Sequence, residues 1–99
     1  MYAVIRESTL RPEAQGQYAA ALKEFAAIRA QQPGYRSSVT IDAGDGRRVS
    51  VVLWESEQAQ ATSAPVLQPQ AERLMGALWS SPSHIVYQGL VVADDLTAR

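Results

Sequence analysis

The sequence predicts a ferredoxin-like α+β domain, in the order β-α-β-β-α-β, with four antiparallel strands and both helices on one face. Three observations carry that prediction. Runs rich in β-branched and large apolar residues occur near the start, twice in the middle (Tyr35 to Ile41 and Arg48 to Trp54) and near the end. A single apolar stripe at helical spacing follows the first run. The two middle runs are joined by a connection too short for a parallel crossover, so they pair antiparallel.

The first strand spans Tyr2 to Leu10, where Tyr2 and Val4 alternate with Ala3 and Ile5. Arg11 and Pro12 end it, and Pro12 suits the first position of a helix because its missing N–H would be unpaired there anyway. That helix is expected to reach about Gln32, with Tyr18, Leu22, Phe25 and Ile28 as its buried stripe. Gly16 weakens its start by about 1 kcal/mol relative to alanine, which favours a start one turn later. Pro33-Gly34 stops the helix, and Tyr35 to Ile41 alternates as the second strand. Asp42 to Gly46 reads as a hairpin turn, because Asp-Gly supplies the positive φ such turns need.

Arg48 to Trp54 is the third strand, and Ser56 with Glu57 marks the start of a helix directly after it. Pro65 and Pro69 predict a break, with one short segment ending near Ser63 and another beginning between the prolines. Leu67, Ala71, Leu74, Met75 and Leu78 form the stripe of that second segment, and Ser80, Ser81 and Pro82 end it. Ser83 to Val92 is the fourth strand, followed by a polar, mobile tail from Ala93. All 99 residues are expected to form a single domain with its core at about 2–92.

The third strand carries apolar residues on both faces, Val49, Val51 and Leu53 on one and Val52 and Trp54 on the other. The fourth strand does the same, with Ile85, Tyr87 and Val91 against Val86, Leu90 and Val92. Two helices cover only one face of such a sheet, and monomers do not usually expose an apolar face several strands wide. A homodimer packed sheet against sheet is the expected closure.

Composition narrows the function. The formal net charge of −1 offers no basic field for nucleic acid, and Arg47-Arg48 reads as two solvated arginines beyond a turn. With no cysteine and one histidine, thiolate and multi-histidine metal sites are excluded. Asp42-Ala43-Gly44-Asp45-Gly46 lacks the spacing and closing glutamate of a calcium loop. No run is long and apolar enough to span a membrane, and strand-like sequence from Tyr2 leaves no room for a signal peptide, so a cytoplasmic protein is expected. Neither a Gly-x-Ser-x-Gly elbow nor a glycine-rich phosphate loop is present.

The chain resembles the antibiotic biosynthesis monooxygenase family, small dimeric α/β-barrel proteins that include cofactor-independent oxygenases and haem-degrading enzymes. Four features carry the resemblance: Arg11-Pro12-Glu13 into the first helix, Pro33-Gly34-Tyr35 between that helix and the second strand, Val51-Val52-Leu53-Trp54-Glu55-Ser56-Glu57-Gln58-Ala59 at the junction, and Pro82 before the final strand. It covers about residues 2–92. Oxygenases of the family typically use a pocket asparagine, and this chain has none. Haem-degrading members place a histidine on the helix after the tryptophan strand, where this chain reads Gln58-Ala59-Gln60-Ala61-Thr62-Ser63, so the departure implies no haem.

What the resemblance implies is oxygenation of a small aromatic or polyketide-like substrate with no cofactor. That chemistry needs a water-excluding apolar pocket and one or two polar groups that bind or deprotonate a phenol. Arg6, Trp54 and His84 are the candidate catalytic groups. Arg6 is permanently charged, Trp54 matches the family's tryptophan, and His84 is the one side chain with an ordinary pKa near neutrality. Tyr18, Tyr35, Ser8 and Tyr87 are the candidate substrate-binding groups. The alternative is a dimer of the same fold that binds a small apolar ligand, or serves a structural role, without catalysis.

Overall fold

Alternation decides the burial of the first strand, β1 (Tyr2–Leu10): Tyr2, Val4, Ser8 and Leu10 are buried, whereas Ala3, Ile5 and Thr9 are only partly so. The computed structural model describes residues 1–96. A 3-10 turn at Pro12–Ala14 precedes the first helix, α1 (Gln15–Ala30), which begins about one turn after Pro12 and ends two residues before Gln32. Gly16 therefore lies in the first turn of the helix, where its backbone freedom costs least.

The second strand, β2 (Tyr35–Gly44), runs past Ile41, and only Asp45 and Gly46, with φ of 55° and 80°, turn the chain into β3 (Arg47–Trp54). Gly46 also meets the end of β1. A Cβ on it would come within 2.8 Å of the Leu10 carbonyl oxygen, and the Leu10 amide donates to the Gly46 carbonyl at 2.8 Å.

The second helix, α2 (Glu57–Met75), corrects the expected break: it is continuous, with Pro65 and Pro69 inside it. Ser56 caps it by accepting from the Ala59 amide at 3.1 Å. Both prolines lie on the exposed side, so the Ala61 and Pro65 carbonyls that lose their helical donors are on the wet face. Ser63, Leu67 and Met75 are buried on the opposite side, and that packing holds the turns together.

The last strand, β4 (Trp79–Leu90), starts four residues earlier than Ser83 and ends before Val92. Trp79 opens this strand opposite Leu10, and the Arg11 amide donates to the Leu78 carbonyl at 2.8 Å, so Ser80 to Pro82 extend the sheet and do not close a helix. Pro82 is tolerated because β4 is an edge strand and its pairing is irregular between Glu7 and Thr9. Of the tail expected from Ala93, residues 97–99 lie outside the described residues, and 92–96 are exposed.

The strands are antiparallel in the order β2-β3-β1-β4, the predicted ferredoxin-like arrangement. The helix-covered face is zoned by register. Tyr2 pairs with Trp54 and Val4 with Val52, which gives an apolar end, whereas Arg6 pairs with Ser50 and Ser8 with Arg48, which gives a polar one. The opposite face presents Ile5, Val51 and Val39 in one row and carries Ile41 and Tyr87 as well; Val39 and Tyr87 are 60% and 70% exposed.

Candidate functional site

A cavity of about 250 Å³ lies between the two helices and the sheet, over the boundary between its apolar and polar zones. Arg6, Ser8, Tyr18 and Trp54, four of the residues expected at a site, line it together.

Arg6 is brought inward by the same alternation that buries Val4 and Ser8. It is half-buried, its Nη1 donates to Ser83 Oγ at 3.4 Å, and burial lowers the pKa of its guanidinium. Tyr18 reaches the cavity from the stripe of α1, and burial raises its hydroxyl pKa, with the positive charges of Arg48 and Arg29 pulling the other way. Ser8 is 7% exposed, and Trp54, at the end of β3, is 4% exposed.

Tyr35 stands behind Trp54. Its ring meets the indole edge to face, with centroids 5.8 Å apart and planes at 83°, and its hydroxyl donates to Ser38 Oγ at 3.0 Å. It fixes the indole without lining the cavity. His84 and Tyr87 lie outside. His84 is exposed, with Nδ1 3.1 Å from the Pro82 carbonyl oxygen, and Tyr87 pairs with Ile5 on the uncovered face. For Tyr87 the cause is plain alternation, since its regular pairing with Ile5 puts it on the Ile5 face; for His84 it is the irregular register of β4, where an extra residue falls between the partners of Ile5 and Arg6 and sets His84 opposite Glu7. The position beside Arg6 goes to Ser83.

Three further lining residues escape a reading by residue type. Arg48 is not solvated as the Arg47-Arg48 doublet suggests: its side chain is 12% exposed, pairs with Asp42 at 3.0 Å and lies over the Tyr18 ring at 5.5 Å. The alternation Arg48, Ser50, Val52, Trp54 points to this placement. Arg29 is 6% exposed, donates through Nη2 to Ser38 Oγ at 2.7 Å, and lies 5.4 Å from the Phe25 ring and 5.8 Å from the Tyr35 ring. Its signal is its spacing, four residues after Phe25 on the apolar stripe. Trp79 is 7% exposed, and its indole nitrogen has no partner among the described residues.

The cavity thus sets three permanent cations, Arg6, Arg29 and Arg48, and the hydroxyls of Ser8 and Tyr18 against aromatic walls, an arrangement able to bind a planar ring and to favour its oxyanion.

A sequence model of the antibiotic biosynthesis monooxygenase family matches residues 1–64 of the chain. No curated protein matches it. Among solved structures, SnoaB, a cofactor-independent oxygenase from Streptomyces nogalater, superimposes with a TM-score of 0.69 at 21% identity, covering 94% of this chain and 97% of that one. Rv0793 from Mycobacterium tuberculosis gives 0.73 at 21% identity, with 94% and 96% covered. The NE2512 protein from Nitrosomonas europaea gives 0.81 at 14% identity, with 96% and 92% covered. At these identities the likeness establishes the fold and not the activity.

Proposed function

This chain belongs to the antibiotic biosynthesis monooxygenase family, and on that premise we propose that it is a cofactor-independent monooxygenase acting on a small aromatic or polyketide-like substrate. The observation that carries the proposal is the cavity in which Arg6, Ser8 and Tyr18 converge beside Trp54. In this reading the Arg6 guanidinium stabilises the phenolate form of the substrate, and the apolar wall keeps water from the reacting carbon. The electron-rich ring reduces oxygen. One oxygen atom bonds to the ring carbon in place of hydrogen, the phenol becomes a quinone, and the second oxygen atom leaves as water with the two hydrogens lost. Trp54 positions the ring, and Tyr18 and Ser8 bind its polar edge.

The uncovered sheet face supports a homodimer, because Val39, Ile41 and Tyr87 present an apolar surface that a second copy would bury. None of the described helices is long and apolar enough to cross a membrane, and the cytoplasm is the proposed compartment.

The placement of His84 favours a second reading. With the single imidazole outside the cavity, no group of ordinary neutral pKa lines it, which suits a dimer that binds a small ligand without turning it over. Oxygen uptake on a panel of hydroquinones and anthrones, in metal-free buffer, separates the two. The oxygenase reading expects uptake, with a loss of about a hundredfold or more in Arg6→Gln and a smaller loss in Trp54→Phe. Binding without uptake across the panel selects the second reading.

A further inference from the structure

We propose that the ligand of this cavity is an aromatic acid of one or two rings, and that Arg29 holds its carboxylate. The proposal deepens the oxygenase reading by naming a substrate class, and it rests on that reading only for the site's location.

The argument begins with charge. Three arginines line the cavity, and Arg48 alone has a carboxylate partner among the described residues, Asp42. Glu7 and Glu72 border the cavity without forming an ion pair to any of them. Arg29 is the most deeply buried of the three. Its one side-chain hydrogen bond among the described residues goes to the neutral Ser38 hydroxyl, and its Nε has no partner. The Phe25 and Tyr35 rings flank the guanidinium and solvate it, yet they leave its charge uncompensated. A cation this far from water is costly unless an anion joins it, and a guanidinium matches a carboxylate best.

Size and spacing supply the rest. A cavity of about 150 Å³ accommodates benzene, so about 250 Å³ suits one substituted ring or two fused ones. Aromatic walls from Tyr18, Phe25, Trp54 and Trp79 match such a ring. Arg29 is tied to Ser38 on β2, while Arg6 stands on β1 with β3 between them, a separation of roughly 10 Å at the sheet. A hydroxyaromatic acid can therefore direct its phenol to Arg6 and its carboxylate to Arg29.

Quenching of Trp54 and Trp79 fluorescence provides the measurement, since both indoles line the cavity and the chain has no other tryptophan. The probes are para-hydroxybenzoate and hydroxynaphthoate, each beside its methyl ester. Wild-type protein should bind each acid about ten to a hundred times more tightly than its ester. Arg29→Gln should erase that preference while leaving ester binding in place, and Arg29→Lys should restore part of it. Equal or tighter binding of the esters by wild-type protein, or failure of both acids to bind, overturns the proposal. So does an undiminished acid preference in a folded Arg29→Gln. If that variant does not fold, Arg29→Lys carries the assignment: an acid preference lowered from the wild-type value upholds it, and an unchanged one overturns it. An acid preference without oxygen uptake upholds this proposal and sinks the oxygenase reading instead.

Discussion

The Arg48 guanidinium lies 5.5 Å from the centre of the Tyr18 ring while its Nη1 pairs with Asp42 Oδ1 at 3.0 Å, so a single cation joins the hairpin of β2 and β3 to α1. Tyr18 is consequently held in a partly desolvated place. Burial raises its pKa above the ordinary 10.0, and the two nearby arginines offset part of that rise.

A pH dependence follows from that shift. The folded chain keeps the Tyr18 proton through a range in which the unfolded chain has lost it, so this contribution is complete below the ordinary tyrosine value and declines as pH rises beyond it. Urea unfolding at neutral and strongly alkaline pH should show wild-type protein losing more stability than Tyr18→Phe over that interval. Equal losses would exclude Tyr18 as a contributor.

Pro65 sits in the interior of α2, where it withholds an amide from the Ala61 carbonyl. Pro65→Ala restores that bond at an exposed position, and the greater freedom of the unfolded chain offsets part of the gain. A net stabilisation of about 2 kcal/mol is expected, read as a higher denaturant midpoint at unchanged slope.

Gly34 has φ of 84°, and a Cβ placed on it would fall 2.5 Å from the Ala59 Cβ at the start of α2. Gly34→Ala combines a left-handed backbone with a contact between two elements, and a loss of about 2 to 3 kcal/mol is expected in thermal unfolding. Gly34→Ala with Ala59→Gly should recover the steric share and leave the backbone share.

Val39 is 60% exposed on the uncovered face of β2. In Val39→Asp, sedimentation should find monomer where wild-type protein sediments as a dimer, because a carboxylate buried in an apolar interface is unpaired. A wild-type monomer would refute the dimer itself.

Much of the fold is legible in the sequence because alternation and helical spacing report burial directly. Val4, Ser8, Val52, Trp54, Tyr18 and Phe25 all fall on the faces their spacing assigns. What escapes are features that tertiary contacts decide. The two prolines of α2 mark a break by local rules, and packing of Leu67 and Met75 overrides them. The site is half legible for the same reason. Strand alternation brings Arg6, Ser8 and Trp54 to the cavity, but the irregular pairing of β4 sends His84 outward, and no single-strand pattern announces an extra residue in a ladder. Arg29 is a charged residue in a stripe otherwise apolar, and a reading that sorts residues by polarity passes over it.

The position of β1 bears on the order in which the protein can assemble. Of the four described strands β1 is made first, yet it ends up in the middle of the sheet, with β3 on one side and β4 on the other, Tyr2 facing both Trp54 and Leu90. The β2 and β3 hairpin can close from neighbouring residues alone, but β1 must wait for its second partner until β4 has been made. The cavity has no Trp79 and Ser83 wall before then. Closure of the cavity is thus tied to the pairing of β4 with β1, because the Trp79 to Ser83 wall is carried by the strand that is made last of the four described.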